Sequence, residues 1–185
     1  MIEIKNLSKS FGRKKVFDNF ELKVDKGDRA AILSPSGSGK TTLFRIIAGL
    51  DKKFSGSCLV NGKISYMFQE DRLFPNSTIL ENLLAVTTNT AKASQLLSDM
   101  ELLEAENVFP ATLSGGMKRR CALARALSAD FDILLLDEPF TGLDEELKIR
   151  VAEKVRKRTS DKTLLLITHS EEEAKLLDCN ITYLN

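Results

Sequence analysis

At 185 residues, with 43% of them hydrophobic, the chain is long enough to bury a core and too apolar to remain disordered. Its 27 Lys and Arg against 26 Asp and Glu leave a net charge of +1, which argues against a nucleic-acid binder working through a broad basic field. Glu3 and Lys5 interrupt any apolar leader, and no apolar run approaches the roughly 18 residues of a membrane span, so a soluble, cytoplasmic chain is expected. Cys58, Cys121 and Cys179 are dispersed without metal-ligand spacing and read as reduced, packed thiols.

Ile2-Glu3-Ile4 alternates as a half-buried strand does, and Phe20, Leu22 and Val24 repeat the period of two. Asp25-Lys26-Gly27-Asp28 reads as a turn. Ala30-Ala31-Ile32-Leu33 is apolar on both faces, the pattern of a central parallel strand. After a Gly-rich turn, Leu43, Ile46, Ile47 and Leu50 fall at helical spacing. Asn61-Gly62, between Ser57–Val60 and Lys63–Phe68, predicts a hairpin. From about Thr78 to Glu106 the pattern is helical, with two short helices near Thr78–Val86 and Ala91–Leu103. Ser114 is placed to cap a helix running through Cys121 to Leu127. Ile133 to Leu136 and Thr163 to Thr168 predict buried strands, and Ile181 to Leu184 a last one. Leu147, Val151 and Val155 mark an amphipathic helix, with Glu146/Arg150 and Glu153/Lys157 four residues apart. Strand–helix alternation at both ends and a helical block between them predict one α/β domain over 1–185. Its sheet is mostly parallel, with an N-terminal antiparallel β layer and an inserted helical subdomain at about 76–128.

The Gly-rich turn carries the first chemistry. Ser34-Pro35-Ser36-Gly37-Ser38-Gly39-Lys40-Thr41-Thr42 follows a buried strand and opens a helix, the setting of a phosphate-binding loop. Gly37 and Gly39 lack Cβ, so backbone N–H groups can turn onto an anion, and the helix N-terminus adds partial positive charge. Lys40 offers a point charge to β and γ phosphates, and Thr41 a hydroxyl to Mg²⁺. Ser34 stands where the strict GxxxxGK[ST] pattern has its first Gly. Downstream, four apolar residues deliver Asp137 and Glu138 to the C-terminal end of a strand, where open α/β sheets keep their ligands. Asp137 is then placed to hold Mg²⁺ and Glu138 to polarise an attacking water.

Leu113-Ser114-Gly115-Gly116-Met117-Lys118-Arg119-Arg120, between these elements, resembles the signature sequence of ABC ATPases. The family's other motifs follow in its order. Gln69 resembles the Q-loop glutamine, Thr141-Gly142-Leu143-Asp144 the D-loop, and His169, the one His of the chain, the switch histidine. Phe11 resembles the aromatic that stacks on adenine, with a core aromatic as the competing reading. Met117 departs from the usual Gln. Sixteen residues follow His169, which suggests a minimal cassette.

The resemblance implies an ATPase with a P-loop NTPase core, in which two cassettes, as a homodimer or with a second ATPase subunit, enclose ATP and Mg²⁺. Each ATP would lie between the 34–42 loop of one subunit and Ser114, Gly115 and Gly116 of the other. It also implies Glu138 as general base, His169 on the γ-phosphate, and Gln69 between the metal and a transmembrane permease. The reading is a subunit powering solute transport, held at the inner face of the membrane by a permease, with importers of small anions or organic solutes the nearest in pattern. Leu73 and Phe74 are expected to be exposed where that permease docks. The alternative is a soluble ABC ATPase of DNA repair, translation or cluster assembly. Against repair relatives, the span from Lys40 to Ser114 carries no heptads.

Overall fold

This computed structural model describes residues 1–33 and 37–184. β1 (Ile2–Phe11) and β2 (Lys14–Val24) run antiparallel, Ile2 opposite Val24 and Phe11 opposite Lys14. β3 (Arg29–Leu33) and α1 (Lys40–Ile47) come next, and β4 (Ser55–Val60) then pairs with the free edge of β1. The expected antiparallel layer is thus a three-stranded sheet, β2-β1-β4.

Asn61-Gly62 does not close a hairpin. β5 (Ile64–Met67) pairs in parallel with β6 (Ile133–Asp137), in a different sheet from β4. The dipeptide carries the chain from one sheet to the other. A Cβ on Gly62, at φ 132°, would stand 2.8 Å from Asp132 Cβ, so glycine is required by a close approach of two chains. With β7 (Thr163–Thr168) and β8 (Asn180–Tyr183) the second sheet has the order β5-β6-β7-β3-β8, and each of its pairings is parallel.

The period of two in β6 and β7 sorts their side chains to two cores. Ile133, Leu135, Leu165 and Ile167 pack with Leu43, Phe44 and Ile47 of α1 and with Ile2 and Ile4 of the antiparallel sheet. Leu134, Leu136, Leu164 and Leu166 pack on the other face with the helices. Each fully buried Leu or Ile contributes about 1.5–3 kcal/mol. Two apolar faces on one strand explain why these segments read as unbroken apolar runs.

Between β5 and β6 the described elements are helical: α2 (Ile79–Leu84), α3 (Thr90–Asp99), two 3-10 turns and α4 (Gly115–Ser128). Thr78 and Glu81 close a capping box at α2. α3 is shorter than its apolar spacing suggests. Glu101 takes φ 55°, the Leu102 N–H bonds the Leu97 carbonyl at 2.8 Å and the Glu101 N–H that of Ser98 at 3.0 Å, a Schellman stop. Arg120 of α4 donates to the Met100 and Glu101 carbonyls at 2.6 and 3.0 Å, which holds that stop in place. Leu73 is half-buried against this helical core, contrary to the expected exposure, while Phe74 is exposed. α5 (Glu145–Arg158) precedes β7, and α6 (Glu171–Leu176), whose sequence EEEAKL shows no helical periodicity, follows it.

Candidate functional site

β3 ends at Leu33, and the expected ligand residues Ser34, Pro35 and Ser36 lie outside the described residues. Gly37 and Gly39 have φ 81° and 95°, the left-handed region that glycine enters without strain. A Cβ on Gly39 would fall 2.3 Å from Val16 Cγ1, so β2 also crowds the turn against any side chain. The turn opens α1 at Lys40. A pocket of about 310 Å³ is lined by Gly37, Gly39, Lys40, Thr41, Thr42, Gln69, Glu138 and His169, with Phe11, Lys14 and Val16 on the antiparallel-sheet side. Ser38 lies within the same turn.

Five of the expected residues meet through their side chains. Thr41 Oγ1 donates to Asp137 Oδ2 at 3.1 Å. His169 Nε2 is 2.7 Å from Glu138 Oε1, and Lys40 Nζ is 3.4 Å from His169 Nδ1 and 3.3 Å from Nε2. With Nε2–H donating to Glu138, Nδ1 is left to accept from Lys40. Burial lowers the pKa of Lys40 against the pull of Glu138 and Asp137, and burial raises that of Asp137. Asp137 is 1% exposed, and its Oδ1 has no hydrogen-bond partner among the described residues. An anionic oxygen in that position fits a cation. Thr41, bonded to Asp137, and Gln69 line the pocket, so the oxygens these three residues offer are of the kind that takes Mg²⁺.

Glu138 has φ 52°, a conformation that costs a non-glycine residue about 1–2 kcal/mol. Its N–H bonds the Ile167 carbonyl of β7 at 2.9 Å, and its carbonyl accepts from Arg119 Nε at 3.1 Å and Nη2 at 2.7 Å. The peptide is held from both sides, and the side chain is turned into the pocket.

The remaining expected residues are placed as follows. Gln69 is exposed at the loop after β5. Phe11, 55% exposed, forms the pocket rim with Lys9 Nζ 4.8 Å from its ring centre; this excludes the core alternative. Ser114, Gly115 and Gly116 open α4 but do not line the pocket. Ser114 Oγ accepts from the Met117 N–H at 3.2 Å. The sequence reading passed over three residues. Lys14 lines the pocket with Nζ 3.5 Å from the Gly37 carbonyl. Tyr66 donates to Asp137 Oδ2 at 3.3 Å, and burial first, then the Asp137 charge, pushes its phenol up. Arg119 of α4 is 4% exposed. No spacing marks such residues, since each acts across the fold on atoms remote from it in sequence.

The profile of the ABC transporter family matches residues 17–141. The chain is 36% identical to the aliphatic sulfonates import ATP-binding protein SsuB of Corynebacterium glutamicum, over 98% of this chain and 79% of that protein. It is 39% identical to the sulfate/thiosulfate import ATP-binding protein CysA of Escherichia coli K12, over 94% of this chain and 54% of that protein. Its fold superposes with a TM-score of 0.91 on the dimeric structure of the bacterial ABC transporter cassette MJ0796, at 29% identity, covering 100% of this chain and 94% of that one. A dimeric post-hydrolysis state of that cassette, bound to ADP and Pi, matches with a TM-score of 0.90. With the fold, the pocket and the ordered motifs in agreement, the chain belongs to the ABC transporter family and is an ATP-binding, ATP-hydrolysing subunit that powers transport.

Proposed function

We propose that two copies of this chain, or this chain and a second ATPase subunit, close around MgATP and drive import of a small oxidised-sulfur anion through a separate permease. The observation that carries this is a pocket complete on one side only. It gathers Lys40, Thr41, Glu138 and His169, while Ser114, Gly115 and Gly116 form a second helix N-terminus outside its lining. Ser114 and Gly115 are exposed, where a second subunit's nucleotide can reach them. The dimeric cassettes of the same fold support this pairing.

In this reading the 34–42 loop and Lys40 hold the phosphates, and Phe11 lies on the adenine. Thr41, Asp137 and Gln69 hold Mg²⁺, which when bound offsets the phosphate charge. Glu138 accepts a proton as water oxygen bonds to the γ-phosphorus and the bond to the β-phosphate oxygen breaks. His169, whose Nε2–H here bonds Glu138, would turn that N–H to the γ-phosphate oxygens. Residues 76–128 act as a helical subdomain on the α/β core. Phe74, exposed beside the Arg125 guanidinium (5.6 Å from its ring centre), offers the permease an apolar contact. The oxidised-sulfur class rests on the sulfonate and sulfate importers to which the chain is similar. Docking on a permease would place it at the cytoplasmic face of the membrane; among the described residues no helix is long and apolar enough to cross one.

Glu138→Gln tests the reading. It keeps the shape and removes the base, so turnover falls by about 10²–10⁴-fold while MgATP still binds. Light scattering with MgATP then reads twice the 20.6 kDa chain mass, and with ADP the single mass. A variant that binds MgATP yet stays at the single mass contradicts the sandwich.

A further inference from the structure

Arg119 is the most heavily bonded side chain near the site, and no catalytic role above uses it. It lies in the second turn of α4, five residues past Ser114. Its guanidinium donates in two directions. Nη1 reaches the Phe68 carbonyl at 2.9 Å, the Gln69 carbonyl at 2.8 Å and the Asp71 carboxylate at 3.1 Å. Nη2 reaches the carbonyls of Asp137 and Glu138, and Nε that of Glu138 again. One buried cation therefore ties the first turn of the Gln69 loop to the end of β6.

The Glu138 carbonyl is the contact that bears on chemistry. Glu138 holds a left-handed backbone conformation that an L residue leaves unless its surroundings fix it. Ile167 fixes its N–H and Arg119 its carbonyl. Were the carbonyl released, rotation of the peptide would carry Oε1 away from His169, now 2.7 Å distant. The same guanidinium sits on α4, whose first residues form the exposed phosphate-binding end. A rigid shift of α4 is thus felt at Glu138 and at Gln69 together. A lysine cannot duplicate this, because its compact ammonium lacks the planar fork that spans four carbonyls.

We propose that Arg119 is a positioning residue for hydrolysis. It locks the Glu138 peptide so that the carboxylate faces the γ-phosphate site, and it makes that alignment depend on the seating of α4. This deepens the reading of Glu138 as the base and rests on it.

The test uses the full chain with Arg119→Lys, Arg119→Gln and Arg119→Met, with melting curves to confirm folding. For the folded variants, phosphate release should show kcat reduced by ~100-fold for Gln and less for Lys, as expected of a misaligned reactive group. The KM and Kd for MgATP should stay within about twofold, since uniform binding is untouched. In a Glu138→Gln background, adding Arg119→Gln should change the residual rate by less than about threefold, because both substitutions remove one function. A folded Arg119→Gln with wild-type kcat overturns the proposal, as does a full further loss in the Glu138→Gln background. If Arg119→Met alone unfolds, the Lys and Gln variants decide the matter. Failure of the base assignment reads separately, as a Glu138→Gln single variant that still hydrolyses ATP.

Discussion

Two helix N-termini on this chain, which the proposed sandwich would bring to one ligand, are finished differently. α1 opens behind Gly39, at φ 95°, with Lys40 sunk into the pocket and carboxylates, hydroxyls and an imidazole around it. α4 opens behind Ser114, whose hydroxyl already takes up the Met117 N–H, and it faces outward. The first gathers charge of both signs beside a strained Glu138; the second is capped by a neutral hydroxyl and followed by the cations Lys118, Arg119 and Arg120. A site that must do chemistry gathers groups whose desolvation is unfavourable, whereas a site that only completes another subunit's pocket can be an ordinary helix end.

Substitutions at the two ends should separate binding from assembly. Lys40→Ala should weaken MgATP binding by about 2–3 kcal/mol, on the order of 100-fold, in calorimetry of the single chain. Ser114→Arg should leave that affinity within about twofold, yet abolish the ATP-dependent doubling of mass when added to Glu138→Gln, since bulk and charge enter the shared phosphate site. Equal loss of single-chain affinity at both ends would erase the distinction.

The buried carboxylate sharpens it further. Asp137 carries an oxygen with no partner among the described residues, and its pKa is raised by burial. A raised folded-state pKa means the fold holds the proton more tightly than the unfolded chain does. Ionised Asp137 therefore destabilises the protein above that pKa, and the penalty fades as pH falls towards the ordinary value of 3.8. Asp137→Asn should melt higher than the parent at neutral pH without Mg²⁺, by about 1 kcal/mol or more, and the gap should close at acid pH. With MgATP the order should reverse, because only the parent gains from the metal. Melting curves at two pH values, with and without MgATP, measure both. The smallest effect belongs to Tyr66→Phe. Losing one hydrogen bond of 3.3 Å to Asp137 should shift the Mg²⁺ midpoint of ATP hydrolysis by about two- to fivefold, corresponding to ~0.5–1 kcal/mol.

Sequence alone exposed the parts whose cause is local. Ile133 to Leu136 and Thr163 to Thr168 read correctly as strands because both faces of each are buried. Gly37, Gly39 and Lys40 were legible because a turn, a helix end and a charge sit side by side. Asn61-Gly62 misled because the partner of β4 is β1, some fifty residues earlier, and a dipeptide carries no trace of that pairing. Leu73 was misplaced for a similar reason: its burial is decided by helices further along the chain. Tyr66 and Arg119 stayed hidden because their partners are one carboxylate oxygen and a set of carbonyls, which any residue type supplies.

The chain holds no tryptophan and two tyrosines, which gives the Tyr66 contact an optical use. Tyr183 is 60% exposed and bonds Glu171 at 2.8 Å, away from the nucleotide pocket. Tyr66 is partly buried, edge-on to Phe44 and 3.9 Å from the ring centre of Phe68, with its hydroxyl on the Asp137 carboxylate. A carboxylate acceptor quenches excited phenol, and a cation that draws charge from Asp137 relieves that quenching. Ultraviolet emission of the unlabelled protein should therefore brighten as Mg²⁺ is added with nucleotide, while Tyr66→Phe should leave only the steady light of Tyr183. The cassette carries a native lamp beside the proposed Mg²⁺ site, legible in a cuvette without dye or engineered tryptophan.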